Sequence, residues 1–472
     1  MCVPGHGQLH CGCFRGMATR KRPQQPRALS ASEIARNYKS FEIWQSLNNC
    51  EQVSFTDIPA DFKPDVAAVF DFNSKIPHAW VDKKSPEYKS LRGLAGKHFM
   101  SFLQQVHADS PSLFDANIAG DALEELLPRL TIVHSAWRKL KSMNKSEKWS
   151  EADYAANVYN VIRAPAIRES THRVQCNVSL PQPSDASKLS PESRRVLGAK
   201  QATPDCIVLL PARSVRALSS GIDSPYKRLS RHPIIKSAGS ASQAFRFQST
   251  PLVIPPDAPG FQFISSIWED KGVHSVSDAY RQNRMATTAV ARHLHSLHVQ
   301  APVFALVWAS RGVRAHVDWC SADASGKHAP PVVYSAPYQK AEMDNDQEEE
   351  EGDDRDVFYE WQLERAGHIV EVFFMCEAID RYTAHAFRDR VVAGVHDLLD
   401  SVANKGKRYS PWKRAGDLFA GSLQTNKGKE NRSRNQSISA GGSTSTASAS
   451  HSSSAQSSPT QKSRQRSRRN RR

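Results

Sequence analysis

One stretch limits what this chain can become: Phe261-Gln-Phe-Ile-Ser-Ser-Ile-Trp-Glu269-Asp270-Lys271. Aromatic and β-branched residues dominate it, and Pro256, Pro259 and Gly260 interrupt the chain just before it, which predicts a β-strand. Side chains alternate along a strand, so Phe261, Phe263, Ser265, Ile267, Glu269 and Lys271 share one face. A carboxylate and an ammonium on the apolar face of a strand cost desolvation energy unless they pair or bind something. Asp270 points the other way and has no catalytic role on that face.

The elements around this strand follow from periodicity. Ser150 and Asp153 form a helix-start signal, and the helix runs to about Ile162. Its apolar stripe is Tyr154, Ala155, Val158, Val161 and Ile162, and Glu151 falls on the same stripe. Arg173 to Leu180 alternates, with Val174, Cys176, Val178 and Leu180 facing one way. Pro204-Asp205 opens a short apolar strand, Cys206 to Leu210, typical of a sheet centre. Residues 212–258 read as a long Ser-, Arg- and Pro-rich loop. A helix from Ser275 to His298 follows the Glu269 strand, with Gln282 between Ala279 and Ala286 on its inner stripe. Val303 to Trp308 and Val313 to Trp319 form a hairpin whose tryptophans belong to the core. A short strand at Val332 to Tyr334, a strand at Phe358 to Leu363 and two helices, about 366–379 and 382–402, close the fold.

Four regions result. Residues 1–29 and the basic Ser/Arg-rich 403–472 are expected to be disordered. Residues 30–145 form a mainly helical accessory region. Residues 146–402 form an α/β domain, a mixed sheet flanked by helices, interrupted by the 212–258 insertion and an acidic loop at 340–356. The charge of +15 sits mostly on the last region, where Ser401–Arg472 holds 16 Lys/Arg against 2 Asp/Glu, a net of +14. Such a tail suits nucleic-acid binding through counterion release, or nuclear targeting. A solubilising tail is the bland alternative. No apolar run approaches the roughly 18 residues of a membrane span, and no signal-peptide core opens the chain. The expected setting is therefore the nucleus, or else the cytoplasm, with no secretion and no membrane partner. The eight scattered cysteines fit reduced thiols.

The order helix with inward Glu151, strand, strand opened by Pro204-Asp205, strand ending Glu269-Asp270-Lys271, helix with Gln282, strand resembles the PD-(D/E)xK nuclease superfamily. It looks most like fungal proteins that carry a nuclease-like domain of that superfamily. The resemblance covers about residues 145 to 400 and implies a restriction-endonuclease-like core. It also implies Mg²⁺ or Mn²⁺ held by Asp205 and Glu269, with Glu151 as a third ligand, direct or through water. Lys271 would orient or help deprotonate the attacking water, and Gln282 would complete the catalytic set. Hard Mg²⁺ takes oxygen ligands, commonly one or two carboxylates with waters and phosphate, which suits these residue types. The implied activity is hydrolysis of nucleic acid, DNA in preference to RNA. The alternative is a nuclease fold without turnover that binds nucleic acid or another protein.

Bland readings stand beside these. Glu269 with Lys271 is also what a plain ion pair at a strand end looks like. Pro64-Asp65 followed by Asp82-Lys83-Lys84 repeats the motif at a shorter spacing, without a preceding helix that carries an inward acid. His293, His295 and His298 share one helix but have no obvious acid or Cys partner for zinc, so solvated or packed imidazoles are expected. The sequence leaves the oligomeric state open.

Overall fold

The strand containing Glu269 lies inside a mixed sheet. The computed structural model describes residues 27–118, 123–143, 149–183, 189–236, 244–272, 276–321, 331–339, 358–412 and 414. The acidic loop at 340–356 and most of both expected tails lie outside the described residues. Among those described, eight strands share the sheet: β1 (Cys50–Gln52), β2 (Thr171–Val174), β3 (Cys206–Leu209), β4 (Ile264–Lys271), β5 (Val303–Ala309), β6 (Gly312–Ser321), β7 (Val332–Pro337) and β8 (Glu360–Gln362). Their order is β1-β7-β6-β5-β4-β3-β2, with β8 beside β6.

The pairing separates two halves. Strands β2, β3 and β4 form an antiparallel run. β4 and β5 are then parallel, which requires a crossover. Helix α8 supplies it; in chain order the main helices are α1 (Ala31–Arg36), α2 (Tyr38–Leu47), α3 (Lys63–Phe70), α4 (Pro86–Asp109), α5 (Leu123–Met143), α6 (Glu151–Tyr154), α7 (Asn160–Ala166), α8 (Val276–Ser296), α9 (Ala366–Tyr382) and α10 (Arg388–Ala403). β5 and β6 are the expected hairpin, and Trp308 and Trp319 are both buried. Helix α8 covers one face of the sheet, where Asn283 Nδ2 donates to the carbonyls of Ile267 and Leu306 at 3.2 and 2.9 Å. Helices α7 and α9 cover the other, where Arg163 meets Asp270 and Tyr382 packs edge-on to Phe304.

Several sequence expectations need correction. Arg173 to Leu180 is not one alternating strand. Gln175 adopts φ +50°, in the left-handed region, and breaks it. β2 is exposed along its length, and Val178–Ser179 pairs instead with Gln201–Ala202 in a separate small sheet. β3 is buried throughout but lies next to the edge strand, not at the sheet centre. Residues 212–258 are not a bare loop. They hold helical turns at Ala212–Val215, Arg216–Ser219, Pro225–Arg231, Pro233–Lys236 and Phe245–Gln248, and Leu218, Tyr226, Leu229 and Phe245 join the core. The helix beginning at Glu151 contains a π-helical turn, Ala155–Tyr159, between α6 and α7. In β4 the register with β3 shifts by one residue at Ser265, whose hydroxyl contacts Thr383 at 2.6 Å on the α9 side. Ser265 therefore leaves the face expected for it, as a bulge requires.

Residues 30–145 are mainly helical, as expected, yet they are built into the same body. β1 pairs with β7. Ser110 Oγ donates to Glu371 at 2.7 Å, Trp137 Nε1 to the Glu364 carbonyl at 2.8 Å, and Gly367 N to Asp109 at 3.1 Å. One hydrophobic core runs from Ala31 to Trp412. A fragment starting at residue 146 uncovers that core and leaves Glu371 and Glu377 without Ser110 and Arg129. We expect it to melt broadly and to lack near-UV circular dichroism, while the full chain unfolds in one sharp transition. A fragment with the parent's sharp transition would show that the helical region is an independent appendage.

Candidate functional site

The site lies where β4 ends. Its three consecutive charged residues alternate as the strand requires, and each meets a different partner. Glu269 is 1% exposed, and its Oε1 accepts from Lys271 Nζ at 2.8 Å. Its Oε2 is buried with no hydrogen-bond partner among the described residues. Lys271 also donates to the carbonyl of Asp270 at 3.0 Å. Asp205, one residue before β3, accepts the backbone N–H of Asp270 at 2.8 Å through Oδ2. That bond ties the Pro-Asp turn to the neighbouring strand across a gap of 65 residues in sequence. The carbonyl of Asp205 accepts from Gln175 N at 3.2 Å, so the break after β2 also holds this turn.

Glu151 enters from helix α6. Ser150 caps that helix and forms the expected capping box with Asp153. Glu151, half-buried at the first helical position, lies close enough to Lys271 and Asp205 for their charges to act on it. Glu269 thus forms a buried floor, with Glu151, Asp205 and the partly exposed Lys271 nearer solvent.

These carboxyls hold their protons unusually well. Burial pushes Glu269 well above the ordinary carboxylic range, against the nearby Lys271 ammonium. Burial also raises Asp205, opposed by its bond from Asp270 N–H. Glu151 rises for the same reason, opposed by Lys271. For Lys271, burial favours the neutral amine, but Glu269, Glu151 and Asp205 together outweigh it and move the amine upward. Lys271 is therefore held as an ammonium beside the three acids.

Asp270 points away from this group, as alternation demands, but it is not idle. Both its oxygens meet the guanidinium of Arg163, with Nη1 to Oδ2 at 3.0 Å, and both side chains are almost wholly buried. Arg163 is also flanked by Trp308 at 4.3 Å and Trp268 at 5.2 Å. The sequence expectation ends the helix at Ile162 and so leaves out Arg163. The available signal is Asp270 itself, an acid on the face of the strand that carries Trp268.

Gln282 is not joined to the acids. Its amide oxygen accepts from Ser32 of α1 at 3.1 Å, and the neighbouring Asn283 is the residue that reaches the sheet. The second Pro-Asp motif is also resolved. Asp65 lies in α3 and pairs with Arg390 at 2.7 Å, while Asp82 caps a turn through the N–H of Lys84. His293 is fully buried between Phe263 and Trp412, and burial pushes its pKa down to about 3. Among the described residues, no group of three or more His, Cys, Asp or Glu side chains is arranged to hold a metal ion. What remains is the pair Asp205 and Glu269, near enough for the charge of the first to act on the second, with Glu151 also within reach of Asp205's charge. One or two carboxylates are what Mg²⁺ ordinarily takes from a protein, so the pair fits.

Two outcomes are expected. Arg163→Ala leaves a buried Asp270 charge unpaired, and we expect a loss of about 3–5 kcal/mol in chemical denaturation, as for a broken buried ion pair. The second concerns pH. Glu269 has a folded-state pKa above its unfolded value, so its stabilising contribution is complete below about pH 4.5 and is lost as pH rises through the folded value. Glu269→Gln cannot lose a proton. The melting temperature of the variant, minus that of the parent, should be near zero at pH 4 and grow steadily more positive toward pH 8. A flat or falling difference would mean that Glu269 is not held against its charge.

No protein-family model matches this chain, and no curated protein is detectably similar to it, so what the site does is argued from its own residues.

Proposed function

We propose that the protein is a metal-dependent phosphodiesterase acting on nucleic acid, with its reaction centre at the end of β4. The observation that carries this reading is Glu269. A buried carboxylate with one oxygen on an ammonium and the other unpaired is expensive as pure structure. It is reasonable if a divalent cation completes it. An antiparallel three-strand run followed by a helical crossover to a parallel strand supports the same reading, because it sets Asp205 beside the Glu269 strand.

Asp205 and Glu269 would hold Mg²⁺ or Mn²⁺, and Glu151 would contribute through water. The cation, when bound, polarises a phosphoryl oxygen and makes its water more acidic. The chain's own residues do the rest. Lys271, kept cationic by three acids, offsets negative charge building on the phosphoryl group. The raised carboxyls bind metal only after losing their protons, so affinity falls as pH falls. Arg163 and Asp270 hold the strand end still.

One observation favours a second reading. The described residues provide two carboxylates at the centre, without a three-group cluster. A nuclease fold that binds nucleic acid without cutting it would look the same.

The test uses the full chain with supercoiled plasmid, single-stranded DNA and RNA, with Mg²⁺, Mn²⁺ or chelator. Cutting should require metal. It should fall by roughly 10²-fold or more in Asp205→Ala, Glu269→Gln and Lys271→Ala. Gln282→Ala should cut like the parent, since its amide serves Ser32. Metal-independent cutting, or cutting retained by all three site variants, would overturn the assignment. Binding without cutting would select the second reading.

A further inference from the structure

We propose that a cleft at the end of the sheet away from Glu269 and Lys271 binds a small organic anion bearing a phosphate or a carboxylate. β4 and β5 run parallel, and α8 carries the chain back from the end of one to the start of the other. The last turn of α8 therefore lies at the opposite end of the sheet from the reaction centre. There Arg292, His295 and His298 join Gln182, Arg408 and Trp412 around an opening of about 440 Å³. That volume falls within the range of small-molecule sites.

The charge of the lining sets the sign of the ligand. Two guanidiniums face one carboxylate, that of Asp397, and His298 Nδ1 already contacts Asp397 at 2.7 Å. The hydrogen-bond balance points to something polar. Four residues of this one lining carry buried atoms without a hydrogen-bond partner among the described residues: Gln182 Oε1, Arg292 Nε, His295 Nδ1 and Trp412 Nε1. Buried polar groups are nearly always paired, so four at one cleft need an explanation. Arg292 is also preset. Its Nη2 donates to the carbonyls of Asn48 and Pro331, which fixes the guanidinium and leaves Nε unmatched. The exposed Arg408 guanidinium suits the oxygens of phosphate or carboxylate, and the four unmatched atoms lie just beneath the surface of the lining. The chain after Trp412 is a poor occupant, because residues 413–472 hold 13 Lys/Arg against 2 Asp/Glu, a net of +11 with the same sign as the lining.

The test is calorimetric titration of the full chain with inorganic phosphate, citrate and AMP, each alone and without divalent metal. At least one should bind with a Kd below about 1 mM. Arg408→Gln removes an exposed cation and should keep the parent's melting temperature while weakening binding about tenfold or more. His295→Asn should weaken it as well, and if that variant does not fold, Arg408→Gln alone decides. Asp205→Ala should bind like the parent, which separates this site from the reaction centre. The proposal is overturned if no probe binds below about 10 mM, or if Arg408→Gln binds unchanged. It is also overturned if a 5′-phosphorylated oligonucleotide binds while none of the small anions does, since the cleft would then be a contact for nucleic acid.

Discussion

The bidentate contact between Arg163 and Asp270 holds the charged end of β4 together. It lies on the face of β4 opposite Glu269, yet it sets where Glu269 stands. Three charged residues in a row at the end of a buried strand would ordinarily be driven toward water. Arg163 anchors the middle one, with indole rings beside the guanidinium. With Asp270 fixed, its N–H reaches Asp205 and its carbonyl accepts from Lys271. The helix that supplies Arg163 also supplies Glu151, twelve residues earlier and beyond a π-helical turn. A π turn adds a residue to the helix and rotates the residues beyond it, so Glu151 and Arg163 can serve opposite faces of one strand end.

The electrostatics derive from that placement. Three carboxyls surround one ammonium, so the cluster is short of positive charge once the acids ionise. Burial shifts the acids upward, and the acids shift the lysine upward. In such a cluster the lysine keeps its proton and the carboxyls give theirs up late. A divalent cation would remedy the imbalance, and neutralising a single acid would do so in part. Residue type alone does not show this balance, which depends on how many acids burial brings to one ammonium.

Much of this was legible in the sequence. Period-two alternation placed Glu269 and Lys271 together and Asp270 apart, and the capping box at Ser150 fixed where Glu151 enters. The long helices and the hairpin were clear because ten or more residues of one period leave a strong signal. What failed was short or non-local. The helical turns between 212 and 248 are four to seven residues long, too few to show a period. The break at Gln175 is a backbone choice that no side-chain pattern announces. Gln282 shared an inner stripe with alanines, but one helix has inward neighbours on more than one side, and Ser32 of α1 took it. Arg163 went unseen because its partner is 107 residues away.

The unity of the N-terminal region with the α/β core bears on both sites. Strand β1 closes the far edge of the sheet, and the Asn48 carbonyl just before it accepts from Arg292 in the cleft at the end of α8. Arg129 and Ser110 neutralise or satisfy acids on α9, the helix that lies with α7 on the Arg163 face. Residues 30–145 therefore carry none of the proposed chemistry and yet support the backbone at both ends of the sheet. A region that looks like an accessory by composition can be structural because buried acids such as Glu371 and Glu377 require partners, and here those partners come from the first third of the chain.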